Sequence, residues 1–309
     1  MNPHLRGHSM TKAKKIFVGN YKGGVGKTTS IYQIALHMVG HGKRVLLIDL
    51  DPQCSLSEIC LARREMRLDQ LEDHESLNYV YDMWEQYKQF QRLPFSIDSG
   101  PLVKETPENV HFIPSNTFYS NGGLDDLSLR MNDDFESLLP LQQLFHFSRI
   151  DESYDYILFD CPPSNNMITQ GAFLLSDYYI IPTIFQTLST RGVVHYIKTV
   201  EKIFEQKCGT SEYRLLARSL FGEKPRLLGI FETLKKHSVE NRPLINDLVS
   251  DLKKSEIKTL LFTETKETYI FDTIIFHYEG IARATALGEK RNDYKTLTDE
   301  ILDCIELNV

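Results

Sequence analysis

Short runs of apolar and β-branched residues alternate along the chain with longer stretches in which apolar residues recur every three or four positions. The short runs predict buried strands, and the periodic stretches predict amphipathic helices between them. Strands are expected at 15–19, 45–49, 110–113, 156–160, 178–182, 227–231 and 273–276. Because this alternation is typical of βαβ units, we predict an α/β fold whose mostly parallel, twisted sheet carries helices on both faces.

The segment between the first two strands shows the helical pattern most clearly. Ile31, Ile34, Ala35 and Met38 fall at i, i+3, i+4 and i+7, so they form one apolar stripe. Glycines follow the stripe and are expected to end the helix. We expect this helix to be the crossover that joins two parallel strands.

Length and composition fit a globular protein of one or two domains. The chain has 309 residues, of which 41% are apolar and 25% charged, and no apolar run approaches the length of a membrane span. Five cysteines without a C-x-x-C pair indicate inert thiols in a reducing cytoplasm rather than a disulfide framework. Residues 1–9 lack an apolar signal segment, and we interpret them as an expression scar or disordered leader before a domain at 10–309.

The charges are unevenly distributed. With 35 Lys and Arg against 42 Asp and Glu, the net charge is −7, which argues against a protein that coats nucleic acid by bulk charge. Residues 62–150 contain 8 basic and 15 acidic side chains and account for the whole excess. We predict an acidic helical insertion there, which is either a solvated face or a surface that repels nucleic acid or docks a basic partner.

A glycine-rich turn lies between the first predicted strand and the first helix. Glycines let backbone N–H groups turn inward around an anion, and the helix N-terminus adds partial positive charge. Tyr21 stands where the usual phosphate-binding pattern has its first glycine, five positions before Gly26. Lys27 is expected to reach the β- and γ-phosphates of a nucleotide, and the Thr28 hydroxyl to ligate Mg²⁺. The expected phosphate-binding residues are Lys22, Gly23, Gly24, Val25, Gly26, Lys27, Thr28 and Thr29.

Three carboxylates follow predicted strands. Asp49 and Asp51 stand in D-L-D-P-Q after the second strand, and Asp160 opens D-C-P-P after a later one. Carboxylates at the ends of parallel strands project into the crevice where ligands bind. If the strand continues past Asp49, its side chain points to the same side as that of Asp51, and we assign it a supporting role near Lys27 and Mg²⁺.

Together, K-G-G-V-G-K-T-T, D-x-D-P-Q and D-x-P-P resemble the deviant Walker A, switch I and switch II motifs of the ParA/MinD superfamily, and most nearly its ParA/Soj partition branch. The resemblance covers nearly the whole chain and implies a P-loop NTPase that uses ATP and Mg²⁺. It implies that Lys22 reaches across an ATP sandwich dimer to the partner's phosphates and that Asp51 orients or polarises the attacking water. Lys22, Lys27 and Asp51 are therefore the expected catalytic residues, and Thr28 and Asp160 the metal-binding ones.

Members of this superfamily differ in what the ATP-bound dimer holds. The segment 297–309 is acidic and contains no Lys or Arg, so an anionic membrane would repel it. Cys54 and Cys161 lie near the switch motifs without the pattern of a shared iron–sulfur cluster, and we interpret both as small buried side chains.

DNA is the expected partner. Arg191, Lys198 and Lys202 are spaced by seven and four residues, so they share a helix face that suits nonspecific phosphate contacts. The partition family's late block resembles D-T-V-I-P-R-x-x-R-x-x-E-A, whereas this chain has D-T-I-I-F-H-Y-E-G-I-A-R-A at 272–284 and lacks the proline and both arginines. Arg283 is a further candidate contact, and another scaffold than DNA stays open.

The resemblance implies an ATPase that dimerises with ATP, binds nonspecific DNA in that state and releases it on hydrolysis. Such a protein positions a plasmid, a chromosome region or a protein cargo through an adaptor that stimulates hydrolysis, and it is expected in the cytoplasm on the nucleoid. The alternatives are a small-molecule ligase with the same loop and a positioning ATPase on a non-DNA scaffold.

Overall fold

The computed structural model describes residues 12–90, 95–236, 240–254, 257, 261 and 269–307, so the predicted leader at 1–9 lies outside the described residues. The strands in this part of the chain are β1 (Lys14–Val18), β2 (Val45–Asp49), β3 (Lys104–Glu105), β4 (His111–Ile113), β5 (Tyr156–Asp160), β6 (Tyr178–Thr183), β7 (Arg226–Lys235) and β8 (Ile270–Phe276). The helices are α1 (Lys27–Gly40), α2 (Ser55–Arg63), α3 (Leu77–Phe90), α4 (Leu124–Arg130), α5 (Pro140–Ser148), α6 (Met167–Leu175), α7 (Thr187–Phe204), α8 (Arg214–Phe221), α9 (Arg242–Leu252), α10 (Ile281–Ala286) and α11 (Asn292–Glu306).

The eight strands form one sheet in the order β3-β4-β2-β5-β1-β6-β7-β8. All neighbouring strands are parallel except β3, which pairs antiparallel with β4. The predicted α/β fold with a mostly parallel sheet is confirmed. All seven predicted strands are present, and the two-residue strand β3 was not predicted.

Helices cover both faces of the sheet because side chains alternate along each strand. Ile16 and Val18 of β1 belong to a core shared with α1, α2 and α11, whereas Phe17 belongs to a core shared with α3, α5, α6, α7 and α9. The apolar stripe predicted at 31–38 is fully buried within α1, which confirms the crossover helix.

Two segments that stood out for their acidic charge contribute to the sheet and to the core. Residues 62–150 contain α3, α4 and α5 together with β3 and β4, and β4 pairs with β2 in the sheet. The apolar side of α11 is buried against α1, β7 and β8, so its Leu297, Ile301 and Ile305 belong to the core. In the part of the chain that the structure describes, no helix combines the length and apolar character needed to span a bilayer.

Candidate nucleotide site

The predicted site residues converge at the carboxyl ends of the central strands. From β1 the chain crosses to β2 on one side of the sheet, and β6 lies on the other side of β1. A ligand crevice forms at such a switch point, outside the carboxyl ends of the strands. Val18 and Asp49 are both in register with Asp160, which brings the phosphate loop (residues 19–29) beside both carboxylate motifs.

The conformation of the phosphate loop explains its glycines. Gly24 and Gly26 have φ angles of +69° and +75°, in the left-handed region that favours glycine. Apart from the glycine and its two neighbours in the chain, no atom of the described residues lies within 4 Å of a Cβ placed at either position, so backbone conformation is the constraint rather than space. Helix α1 begins at Lys27 and has no acidic residue in its first turn, which leaves positive helix-dipole potential facing the loop.

Lys27 lies beneath this loop. Its side chain is 7% exposed, and Nζ donates hydrogen bonds to the carbonyl oxygens of Asn20 at 3.2 Å and Lys22 at 3.3 Å. Burial lowers the pKa of Lys27, while the nearby carboxylates of Asp160 and Asp51 act in the opposite direction. The ammonium group is therefore held close to the loop backbone and both motif carboxylates. Thr28 and Thr29 follow it on the first turn of α1 and are partly exposed.

Side chains without an assigned role in the sequence analysis anchor the loop. Asn20 Nδ2 donates to the carbonyl oxygen of Pro182 at 2.9 Å, and its Oδ1 accepts a hydrogen bond from the Lys22 N–H at 3.0 Å. Thr233 Oγ1 bonds the carbonyl oxygens of Val25 at 2.8 Å and Thr183 at 3.1 Å. The loop is thus tied to β6 and β7.

The Asp49 carboxylate is hydrogen-bonded to the first turn of α2. Its Oδ2 accepts hydrogen bonds from Ser57 N at 2.8 Å and Ser57 Oγ at 2.6 Å, and its Oδ1 accepts one from Asp51 N at 3.0 Å. The expectation that Asp49 and Asp51 share one side required β2 to continue, but the strand ends at Asp49. Asp49 therefore fixes the turn that presents Asp51, and Asp51 Oδ1 accepts a hydrogen bond from Gln53 N at 2.9 Å.

Asp160 is a buried carboxylate at the end of β5. Neither of its side-chain oxygens has a hydrogen-bond partner within ordinary geometry among the described residues. Burial raises the pKa of Asp160 well above its usual value, the charge of Asp49 adds to this, and Thr28 and Lys27 act in the opposite direction. A buried carboxylate without hydrogen bonds is unfavourable, so this group is suited to contact a cation or an ordered water beside the phosphate loop.

The two cysteines near the switch motifs are buried and free of disulfides. Burial raises the pKa of the Cys161 thiol well above its usual value, and burial together with the charge of Asp49 raises the pKa of Cys54 to about 12. Both are neutral thiols at physiological pH, in line with the interpretation as small buried side chains.

Lys22 is exposed at the head of the loop. Its ammonium group donates a hydrogen bond to Gln186 Oε1 of the same chain at 2.9 Å. Gln186 is the residue directly before α7. The lysine expected to act on a partner's nucleotide is thus placed at the surface, with a contact inside its own chain.

The candidate DNA contacts divide between the two faces of the sheet. Arg191, Lys198 and Lys202 lie along the single helix α7, and Arg191 and Lys202 are exposed. Arg283 is exposed on α10, which contacts α1 and α2 on the opposite face. The structure therefore does not bring Arg283 together with the other three. Nearby Arg291 pairs with Asp293 and lies over the Tyr278 ring at 5.4 Å.

Comparison with known proteins agrees with this geometry. A family model described as an AAA domain matches residues 13–211, which include the phosphate loop, both carboxylate motifs and α7. The chain belongs to the ParA/MinD family of P-loop ATPases. The chromosome-partitioning ATPase Soj of Thermus thermophilus is 27% identical to this chain over 223 residues. The match covers 72% of this chain and 70% of Soj. Other curated relatives are matched over 53% or 64% of their own length.

Two solved structures share the fold of this ParA/MinD-family chain. The McdA–ATP complex from Cyanothece has a TM-score of 0.66 and 16% identity, covering 96% of this chain and 97% of that one. Cobyrinic acid a,c-diamide synthase from Mycobacterium smegmatis, solved with an ATP analogue and magnesium, has a TM-score of 0.65 and 21% identity over 96% and 97%. At such low identity these similarities establish the fold alone.

Proposed function

We propose that this chain is a ParA-type ATPase. It binds ATP with Mg²⁺, forms a sandwich dimer in the ATP state, binds nonspecific DNA as that dimer and releases the DNA on hydrolysis. The observation that carries the proposal is the convergence of Lys27, Asp51 and Asp160 at the phosphate loop of a chain whose relatives include a chromosome-partitioning ATPase. A plasmid, a chromosome region or a protein assembly would be its cargo.

Phosphate binding follows from the loop. The N–H groups of Gly23, Gly24, Val25 and Gly26, with those of Thr28 and Thr29 at the start of α1, form the anion-binding backbone. Lys27 exchanges its two bonds to loop carbonyls for the β- and γ-phosphate oxygens, so its charge is used where the substrate charge is highest. Anchoring by Asn20 and Thr233 keeps this loop preorganised.

The residues around Asp160 fit a magnesium ion. Both carboxylate oxygens are buried and make no hydrogen bond of ordinary geometry in the described chain, and the Thr28 hydroxyl supplies a hard oxygen ligand close by. Thr28 would bind the ion directly, and Asp160 would hold it through a water. When bound, the ion neutralises charge on the β- and γ-phosphates.

Hydrolysis requires an oriented water. Asp51 presents a partly exposed carboxylate beside the loop, on a turn fixed by Asp49 and Ser57. We assign Asp51 the role of orienting or polarising that water. Lys22 would act in trans, where a second cation offsets the charge of two facing nucleotides and stabilises the transferred phosphoryl group.

DNA binding is assigned to the outer face of α7. Arg191, Lys198 and Lys202 lie along one helix of 18 residues and contact phosphates without reading bases. Glu201 does not weaken this face, because it is 2% exposed and bonded to Tyr179 and Lys224 in the interior. Arg283 is not part of this surface.

An adaptor protein that stimulates hydrolysis completes the proposal. The acidic pairs Asp125/Asp126 and Asp133/Asp134 are candidates to receive a basic segment of it. Three of these carboxylates already have local partners: Asp126 bonds Gly123 N at 3.1 Å, Asp134 bonds Ser137 N at 2.8 Å and Asp133 pairs with Lys207 at 2.8 Å. Unchanged adaptor binding after charge reversal of both pairs would exclude this surface.

A ligase that phosphorylates a small carboxylated molecule is the second candidate. It is supported by the fold shared with cobyrinic acid a,c-diamide synthase. The two functions separate in a steady-state assay of ADP release. Turnover that rises with duplex DNA, together with ATP-dependent dimerisation in sedimentation, supports the partition function. Turnover that saturates with a carboxylated metabolite and ignores DNA supports the ligase.

A further inference from the structure

Tyr21 turns its side chain toward α7. It occupies the position where the usual phosphate-binding pattern has a glycine, and it is half-buried. Its ring meets that of Tyr196 edge to face, with centroids 4.7 Å apart and an interplanar angle of 84°. The ring of His195 lies 6.2 Å away. An aromatic side chain thus joins the start of the phosphate loop to the middle of α7.

Tyr196 in turn contacts the end of β1. A Cβ placed on Gly19 would lie 1.9 Å from the Tyr196 hydroxyl oxygen, so this hydroxyl packs directly against the backbone at Gly19. Tyr196 is 3% exposed. Burial raises the pKa of Tyr196 well above its usual value, and the nearby Cys161 thiol and Tyr21 hydroxyl add to this. Tyr196 therefore lies among the end of β1, the phosphate loop and the residue after Asp160.

Helix α7 carries Tyr196 on its inner side and the basic residues on its outer side. Val193, Ile197 and Val200 are buried with Tyr196, whereas Arg191 and Lys202 are exposed. The Lys22–Gln186 hydrogen bond forms a second connection, at the N-terminal end of the helix. The phosphate loop thus contacts a helix whose other side is the proposed DNA-binding face.

We propose that the Tyr21–Tyr196 pair couples the phosphate loop to the position of α7. Both tyrosines are positioning residues, since the Tyr21 ring packs against Tyr196 and His195 of α7 and Tyr196 is enclosed in the core. The nucleotide state is thereby conveyed to the helix that carries Arg191, Lys198 and Lys202. The consequence for DNA rests on the proposed function, whereas the coupling within the chain does not.

The test removes the ring and keeps a sizeable apolar side chain at position 21. Tyr21→Leu loses the edge-to-face contact, Tyr21→Phe keeps it, and Phe90→Ala removes an exposed ring on α3 as the matched control. Hydrogen exchange of the amides at 191–204 is compared with ADP and with a non-hydrolysable ATP analogue, at saturating Mg²⁺. Titration with a fluorescent ATP analogue is run in parallel, and the nucleotide concentrations are set from it so that the wild type and all three variants are saturated in the exchange experiment.

The expected result is a nucleotide-dependent change in α7 protection in the wild type, Tyr21→Phe and Phe90→Ala, and its loss in Tyr21→Leu. In Tyr21→Leu, the ratio of DNA affinity with ATP to DNA affinity with ADP then falls about two- to tenfold, as expected from the loss of an aromatic pair. If the α7 response is present in the wild type and lost in Tyr21→Leu, but the wild type does not bind DNA, the coupling is supported and the DNA proposal is contradicted. An α7 response that is absent in the wild type, or that persists in Tyr21→Leu, overturns the coupling. If melting shows that Tyr21→Leu is unfolded, Tyr21→Met provides the same comparison.

Discussion

The ammonium group of Lys22 lies 2.9 Å from the side-chain oxygen of Gln186 in the same chain. A lysine that serves a partner's nucleotide must give up this contact on dimerisation. Because the bond is exposed to water, its loss is expected to weaken dimerisation by no more than about 0.5–1.5 kcal/mol. The contact is thus a weak restraint on the proposed dimerisation.

Lys22→Ala is expected to retain ATP binding and lose ATP-dependent dimerisation, since the trans cation is absent. Gln186→Ala, which removes the contact inside the chain, is expected to strengthen ATP-dependent dimerisation by a few-fold. Analytical ultracentrifugation with ATP or ADP measures both. An alanine variant of Lys22 that still dimerises would show that the lysine acts only within its own subunit.

Lys27→Ala is expected to abolish tight nucleotide binding. Each charge-assisted hydrogen bond to phosphate contributes about 1.5–3 kcal/mol, so ATP affinity falls at least about 10- to 100-fold. Isothermal titration with ATP and Mg²⁺ measures the loss, and Lys253→Ala on the surface after α9 is the matched control. Unchanged affinity in Lys27→Ala would contradict the placement of the phosphates.

Asp160→Asn is expected to stabilise the nucleotide-free protein at neutral pH and to weaken binding of Mg²⁺-ATP. Because burial raises the pKa of Asp160 above its value in the unfolded chain, the native state holds its proton to higher pH. The contribution of the Asp160 carboxyl group to the free energy of unfolding is therefore fully present below its unfolded-state pKa and is lost as pH rises through its raised folded-state pKa. The loss amounts to about 1.4 kcal/mol for every pH unit that separates the folded-state pKa from the unfolded-state pKa.

Thermal unfolding in EDTA, scanned across pH, checks this expectation. The melting temperatures of wild type and Asp160→Asn should converge at acid pH and separate as pH rises, with the variant higher. Asp49→Asn is the contrasting variant and should be destabilised, because both Asp49 oxygens accept hydrogen bonds and an amide replaces one of them by a nitrogen that cannot accept. A difference in melting temperature between wild type and Asp160→Asn that does not change with pH would contradict the raised pKa.

The α7 residues and Arg283 are expected to behave differently in DNA binding. Replacing Arg191, Lys198 or Lys202 by alanine removes one phosphate contact and should reduce the slope of log affinity against log salt by about 0.9. Arg283→Ala should leave the slope unchanged, since α10 lies on the other face of the sheet. Fluorescence anisotropy with random-sequence duplexes measures this. A slope that falls only in Arg283→Ala would move the DNA face to α10.

The strands and the phosphate loop were predictable because they depend on local patterns. The run at 45–49 is a largely apolar strand that is buried on both faces. Gly24 and Gly26 adopt positive φ angles that the turn of the phosphate loop requires, so the pattern of glycines indicated the loop directly. Strand β3 was missed because its two residues are ordered by pairing with β4, which their own sequence does not indicate.

The remaining features depend on distant neighbours. Asn20 bonds Pro182, 162 residues away, and Thr233 bonds Val25, 208 residues away, so no local signal identifies either anchor. The end of β2 at Asp49 was predicted, but the sequence did not indicate that the Asp49 carboxylate accepts hydrogen bonds from Ser57, because that depends on how α2 packs. Helical spacing placed Arg191, Lys198 and Lys202 on one helix, but it could not indicate that Arg283 lies across the sheet from them.

The most direct test of the central claim uses Asp51→Ala, in which hydrolysis is expected to stop while ATP binding continues. Its affinity for a long random-sequence duplex is measured with ATP and with ADP over a salt series. The account predicts tight binding with ATP only, falling steeply with salt. Equal or absent binding with both nucleotides, in a protein that still dimerises with ATP, would contradict DNA as the surface that this chain binds.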